Sequence, residues 1–206
     1  MGAGDAVDTD EKIRSAALAL FDAARFEAVS VAAICRAAGV SNGSFFHAFA
    51  TKEALGAALF VSALELYHAA MAAAVADDPD AATGIARLVT AHLAWVVESR
   101  PQARFLFEQS RSDWLVHVRE RQAQENARFA GQLDRWRAPL MAAGHLAQID
   151  SILFQAQLVG PAQIFCRAWL SGRSAADPRD QADRLIDFAR RALLTVQSTA
   201  STSALR

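Results

Sequence analysis

Two cysteines in 206 residues, set far apart at Cys35 and Cys166, exclude a disulfide framework and a cysteine-based metal site. Five prolines and ten glycines are too few for a turn-rich sheet protein. The formal net charge is only −1, so no excess of basic charge announces a polyanionic partner. The longest uncharged run, residues 151–166, includes three glutamines, a glycine and a proline. It is too short and too polar to span a bilayer. The first residues, MGAGDAVDTDEK, are polar and acidic, which predicts no signal peptide and a cytoplasmic protein. Enzyme signatures are also missing. No serine nucleophile elbow, phosphate-binding glycine loop or His-Glu-x-x-His motif occurs, and the five histidines are dispersed. The reading is therefore no enzyme, no metal and no cofactor. Glu98, Glu108 and Asp113 are plausible acids, but surface ion pairing accounts for them.

What remains is helical. Apolar residues make up 53% of the chain, rich in Ala and Leu. The length supports a sizeable core in one or two domains. Ile13, Ala17, Leu20, Phe21 and Ala24 form the apolar stripe of a first helix starting at Thr9 or Asp10, after a loose arm over residues 1–8. Phe26 and Val29 close a small core with Phe45 and Phe49.

Residues 31–55 carry the most information. Ser30 can cap a helix whose apolar face is Val31, Ile34 and Ala38. Gly39 and Val40 make a tight turn, for which glycine can supply a left-handed residue. Ser41 caps a second helix with Phe45 and Phe49 four apart on one face. Thr51 caps a third. This is the spacing of a helix-turn-helix, whose second helix lies in the DNA major groove. Ser41, Ser44 and the helix N-terminus can reach phosphates, and Gly43 lets the backbone approach. Asn42 and His47 are candidates for base edges. Lys52, at the first turn of the third helix, can reach a phosphate. Arg36 and Phe46 complete the candidate DNA-binding set. Residues 9–56 hold five basic and five acidic side chains, so the pattern carries the reading and the charge does not. Modest non-specific affinity that falls steeply with salt is expected. Cys35, four before Gly39, sits where two helices cross, and reads as a small buried residue in preference to a redox switch.

These residues resemble the DNA-binding module of the TetR family of one-component bacterial repressors. The family pattern appears as Cys35, Ala38-Gly39-Val40-Ser41, Gly43-Ser44, Phe45-Phe46, Phe49, Lys52-Glu53 and Leu55. Two positions depart from it. Phe46 stands where the family usually has Tyr, and Ala48 where a phosphate-contacting residue is common. The departures imply a weaker phosphate grip, or one supplied by His47.

Further helices are expected over residues 52–76, 83–98, 102–110, 113–143, 150–170 and 179–197. Arg100-Pro101 breaks the chain, Gly144 closes a helix, and Asp177-Pro178 makes a loop. Pro161 should kink the 150–170 helix or interrupt its hydrogen bonding. The tail STASTSALR reads as disordered. The fold class is all-α with about nine helices: a helix-turn-helix domain over residues 1–51 and a larger bundle over 52–206.

The resemblance implies that the bundle binds a small molecule and dimerises. Aromatics concentrate there among a few polar groups, as a ligand site needs. The candidates are His92, Trp95, Phe105, Phe129, Phe154 and Gln157. The 150–170 helix is apolar nearly all round, so one face can meet a partner. Gln155, Val159, Gly160, Trp169, Leu185, Phe188 and Ala192 are the candidate homodimer interface, with Val196 continuing the seam. The implied mechanism is an operator-bound dimer released from DNA by a mostly apolar effector. Two other readings stand beside it: a helical interaction protein with impaired DNA binding, and a small-molecule-binding enzyme.

Overall fold

The computed structural model describes residues 3–195. Among them are nine α-helices and no strand beyond one isolated bridge between Leu146 and Leu194. The helices are α1 (Ala3–Ala23), α2 (Val31–Ala38), α3 (Asn42–Ala48), α4 (Lys52–Ala73), α5 (Ala81–Glu98), α6 (Arg100–Gln109), α7 (Arg119–Ala142), α8 (Ser151–Leu170) and α9 (Ala182–Leu193). The expected disordered tail and Val196 lie outside the described residues.

Helices α1–α3 pack on one another around Ile13, Ala17, Ile34, Phe45 and Phe49, all buried. Helix α4 leads out of this module into a bundle in which α5 packs on α4, α6, α8 and α9. One hydrophobic core runs through both parts without a break. By length and composition α4 is apolar enough to cross a membrane, but more than half of that stretch is buried inside the protein.

Several boundaries differ from expectation. Helix α1 begins at Ala3, so residues 3–8 are helical and not a loose arm; a Lys12–Asp8 ion pair one turn apart supports the extension. Residues 113–118 form a 3-10 turn, and the α-helix starts only at Arg119. The tighter winding accompanies burial of Leu115 and packing of Trp114 on Phe26. Likewise Pro178–Gln181 is a 3-10 turn before α9, which ends at Leu193. Pro161 does not interrupt α8, which runs on to Leu170. The carbonyl that Pro161 leaves without a donor belongs to exposed Gln157, where water can satisfy it. Pro139, inside α7, frees the carbonyl of exposed Arg135 in the same way.

A close approach fixes the bundle. A Cβ at Gly84 would lie 2.2 Å from the Trp136 ring. The indole fills that gap and donates from Nε1 to the Pro79 carbonyl at 2.8 Å.

Candidate nucleic-acid interface

The local chemistry of the helix-turn-helix is as the sequence spells it. Ser30 Oγ accepts from Ala33 N at 3.2 Å, Ser41 Oγ from Ser44 N at 3.0 Å, and Thr51 Oγ1 from Ala54 N at 3.0 Å. Gly39 has φ +66°, the left-handed geometry in which an L side chain is strained. Each cap starts its helix at a fixed residue, so the turn angle and the face of α3 follow.

Phe45 and Phe49 point inward at 0% and 7% exposure, with ring centroids 6.0 Å apart. Their burial sets the rotation of α3. Asn42, Gly43, Phe46, His47 and Ala48 are left exposed, with Ser44 half-buried. Asn42–Phe46 and Gly43–His47 are four apart, so the exposed residues form one stripe. Phe46 holds 54% of its surface in water and meets Phe45 edge-on at 5.3 Å. A solvent-facing phenyl on a short polar helix is suited to an apolar surface such as a thymine methyl. A Cβ at Gly43 would meet only Ser41 Oγ, at 3.6 Å. The fold therefore does not require glycine there, which fits a backbone kept bare for a partner. Ser41 and Ser44 hydroxyls lie 2.9 Å apart at the helix start. Arg36 is exposed on α2.

Lys52 has a different setting from the one expected. Its Nζ donates to the carbonyls of Phe26 at 2.9 Å and Val29 at 3.0 Å, and lies 4.5 Å from the centre of the Phe26 ring. Two of its three N–H groups thus staple the α1–α2 connection to α4 and do not face outward. No local pattern reveals this, because the partners are 23 and 26 residues away.

Cys35 and Cys166 are both free and buried. Burial pushes the Cys35 thiol up, away from the thiolate that a redox switch needs.

The candidate ligand residues are not brought together. His92 and Trp95 lie buried on α5, near Tyr67. Phe105 belongs to a separate cluster with Phe21, Phe26 and Trp114 at the junction with the module. Phe129 stacks on His68 at 4.2 Å, and Phe154 packs on Trp136. Gln157 is exposed on α8. Four of the six candidates are therefore separated from His92 by the way their helices turn. Sequence reasoning missed Tyr67, whose hydroxyl lies 3.0 Å from His92 Nδ1.

Of the candidate interface residues, Leu185 is buried in its own subunit's core, because α9 turns it toward α5 and α8. Phe188 and Ala192 are exposed, and Gln155, Val159, Gly160 and Trp169 are half-buried. Ile152 and Ile164 of α8, at 82% and 73% exposure, were not among the candidates.

The module is joined to the bundle by specific contacts. Arg100 of α6 binds Asp22 Oδ2 at 2.6 Å, and Arg104 donates to the Asp22 carbonyl at the end of α1. Two cations at a helix C-terminus favour its dipole. Phe21 and Phe105 stack at 5.3 Å across the same boundary.

Comparison with known proteins agrees with this geometry. Residues 13–59 match the family of bacterial regulatory proteins described as the tetR family. No curated protein matches the chain in sequence. Among solved structures, a TetR family transcription regulator from Marinobacter aquaeolei VT8 aligns over 95% of this chain and 100% of its own, with TM-score 0.78 and 19% identity. A tetR family transcription regulator from Shewanella sp. PV-4 aligns over 91% and 99%, with TM-score 0.67 and 26% identity. FadR from Bacillus subtilis, in complex with stearoyl-CoA, aligns over 87% and 96%, with TM-score 0.71 and 15% identity. Residues 13–59 are thus a DNA-binding module of the tetR family of bacterial regulatory proteins, set in a chain whose whole fold is that of TetR family transcription regulators.

Proposed function

We propose that this regulator is a repressor that binds operator DNA as a homodimer and is released by a small, mostly apolar effector held in the bundle. The observation that carries the reading is the α3 stripe of Asn42, Gly43, Phe46 and His47, presented to solvent by a well-capped, well-packed helix. In it Asn42 and His47 read base edges, Phe46 meets a thymine methyl, and Ser41, Ser44 and Arg36 hold phosphates. The chain divides functionally at residue 51/52, with DNA read before it and ligand and partner bound after it.

The apolar residues left in water on α8 and α9, chiefly Ile152, Ile164 and Phe188, support a second copy packing there. Gln155, Val159, Gly160, Trp169 and Ala192 flank that surface. A two-fold dimer brings two α3 helices to successive major grooves about 34 Å apart. The contacts of Asp22 with Arg100 and Arg104 carry a change in α6 to α1, and so alter that spacing. An effector acts only by binding one spacing better than the other. Bacillus subtilis FadR, of the same fold, is solved in complex with stearoyl-CoA, whose stearoyl chain supports an effector with an extended apolar part.

The test is sedimentation of the protein with and without its operator, followed by effector screening for release. A dimer on one operator, freed by an apolar compound, is expected. A monomer on DNA, or a ligand that binds tightly without changing operator affinity, contradicts the reading. Lys52 turned inward and a module with balanced charge favour a second reading, a helical interaction protein with impaired DNA binding. Absence of any DNA retention at low salt would select it.

A further inference from the structure

The middle of the bundle holds a polar cluster that helix packing leaves incomplete. His92 is 1% exposed. Its Nδ1 meets the Tyr67 hydroxyl of α4 at 3.0 Å. Its Nε2 is buried and has no hydrogen-bond partner among the described residues. The rings of Tyr67 and Phe107 flank the imidazole, with centroids 5.7 Å and 6.3 Å away. Cys166 of α8 is fully buried in the same core.

The pair has two ways to share its protons. If Nδ1–H donates to the Tyr67 oxygen, both the phenol proton and a bare Nε2 are stranded. If Tyr67 donates to Nδ1, only an Nε2–H is stranded. Each buried orphan is costly, so the second arrangement, which strands one group in place of two, is preferred. The cluster is also uncharged near neutrality. Burial holds the His92 imidazole down at about 4, pushes the Cys166 thiol up to about 12, and raises the Tyr67 hydroxyl above its ordinary range.

Resting on the effector reading above, we infer that the Nε2–H of His92 is the polar anchor of the effector site, and that the effector is an uncharged, largely apolar molecule bearing a carbonyl or ether oxygen. A ligand offering only donors would set N–H against N–H. A carboxylate or ammonium would be buried among uncharged rings. Arg167, whose guanidinium lies 5.3 Å from the centre of the Phe107 ring, is the cation a carboxylate could reach, and nonanoate tests that alternative. Phe107 also lines a surface cleft of about 220 Å³ together with Arg104, Arg167 and Leu170. Phe107 thus touches both the imidazole and that cleft.

The experiment uses the full-length protein labelled with imidazole-¹⁵N histidine, with His92→Asn assigning the signal. The probes are 2-nonanone, nonanoate and nonylamine at pH 7. The expected spectrum is a neutral ring protonated on Nε2. Its Nε2 signal moves on adding 2-nonanone, which binds roughly tenfold tighter than either charged probe. Tyr67→Phe, a gentler change, frees the tautomer and weakens 2-nonanone roughly five- to tenfold. A proton on Nδ1, an imidazolium at pH 7, nonanoate as the tightest probe, or no probe reaching Nε2 would each overturn the inference while leaving effector control by another site intact. Conversely, 2-nonanone seated on His92 with no change in operator affinity upholds the anchor and contradicts effector control.

Discussion

The helix-turn-helix module and the bundle use their side chains in opposite senses. In the module the apolar groups turn in and the informative ones turn out: Phe45 and Phe49 are buried so that Asn42, Phe46 and His47 are presented. In the bundle the informative groups are inside. His92, Tyr67, His68 and Glu125 meet across helices, away from bulk water, and the outer surface of α8 is apolar. A surface reader works through short-range geometry that caps and turns enforce. An interior cluster depends on pairs of residues far apart in the chain, and tertiary packing alone determines those.

The comparison is broken most forcefully by removing the module's anchor. Phe45 is fully buried, so Phe45→Ala should cost about 3–5 kcal/mol, read as a lowered denaturation midpoint, with operator binding lost because α3 is no longer held in its rotation. A midpoint within experimental error of the parent would mean that α3 is positioned from elsewhere.

Acid tests the interior. His92 has its folded value depressed to about 4, below the ordinary histidine value of 6.5. Between these values the unfolded chain takes a proton that the folded one refuses. Stability from this group is therefore complete above about pH 6.5 and is lost as pH falls toward 4, by about 3 kcal/mol at most. His68, also lowered by burial, acts in the same direction, and so does Glu125, held low by Arg128 and His68. Denaturant titrations of the parent and of His92→Gln across this range isolate the His92 share. Parallel curves would show that the imidazole titrates normally.

How legible these two regions are in the sequence follows the same division. Ser30, Ser41, Thr51 and Gly39 act on residues three or four away, so periodicity and capping rules locate α2, α3 and the start of α4. The face of α3 then follows from two phenylalanines. Lys52 marks the edge of that legibility. Its position at the first turn of α4 is evident, but its bonds to Phe26 and Val29 depend on how α4 crosses the α1–α2 connection. In the bundle, helix existence is legible and helix rotation is not. Phe105, Phe129 and Phe154 look equivalent as a set of aromatics, yet each meets a different ring partner: Phe21, His68 and Trp136. The pairing of Gly84 with Trp136, 52 residues on by their numbers, leaves no local trace.

Lys52 also gives the smallest of these effects. Lys52→Met keeps contact with the Phe26 ring and leaves the Phe26 carbonyl its bond from Val29 N, but strands the Val29 carbonyl, at a cost of about 1–2 kcal/mol in folding stability. Because the ammonium is turned inward, the salt dependence of DNA binding should keep its slope. A slope reduced by about one would place Lys52 on a phosphate after all.

The most direct measurement is a gel-shift titration of the parent and Asn42→Ala against the DNA upstream of the protein's own gene and against unrelated DNA, at two salt concentrations. The parent should be retained specifically, and Asn42→Ala should lose about 1–3 kcal/mol of discrimination with little change in non-specific affinity. Equal behaviour of parent and variant on every DNA, or no retention even at low salt, would contradict the claim that α3 reads an operator.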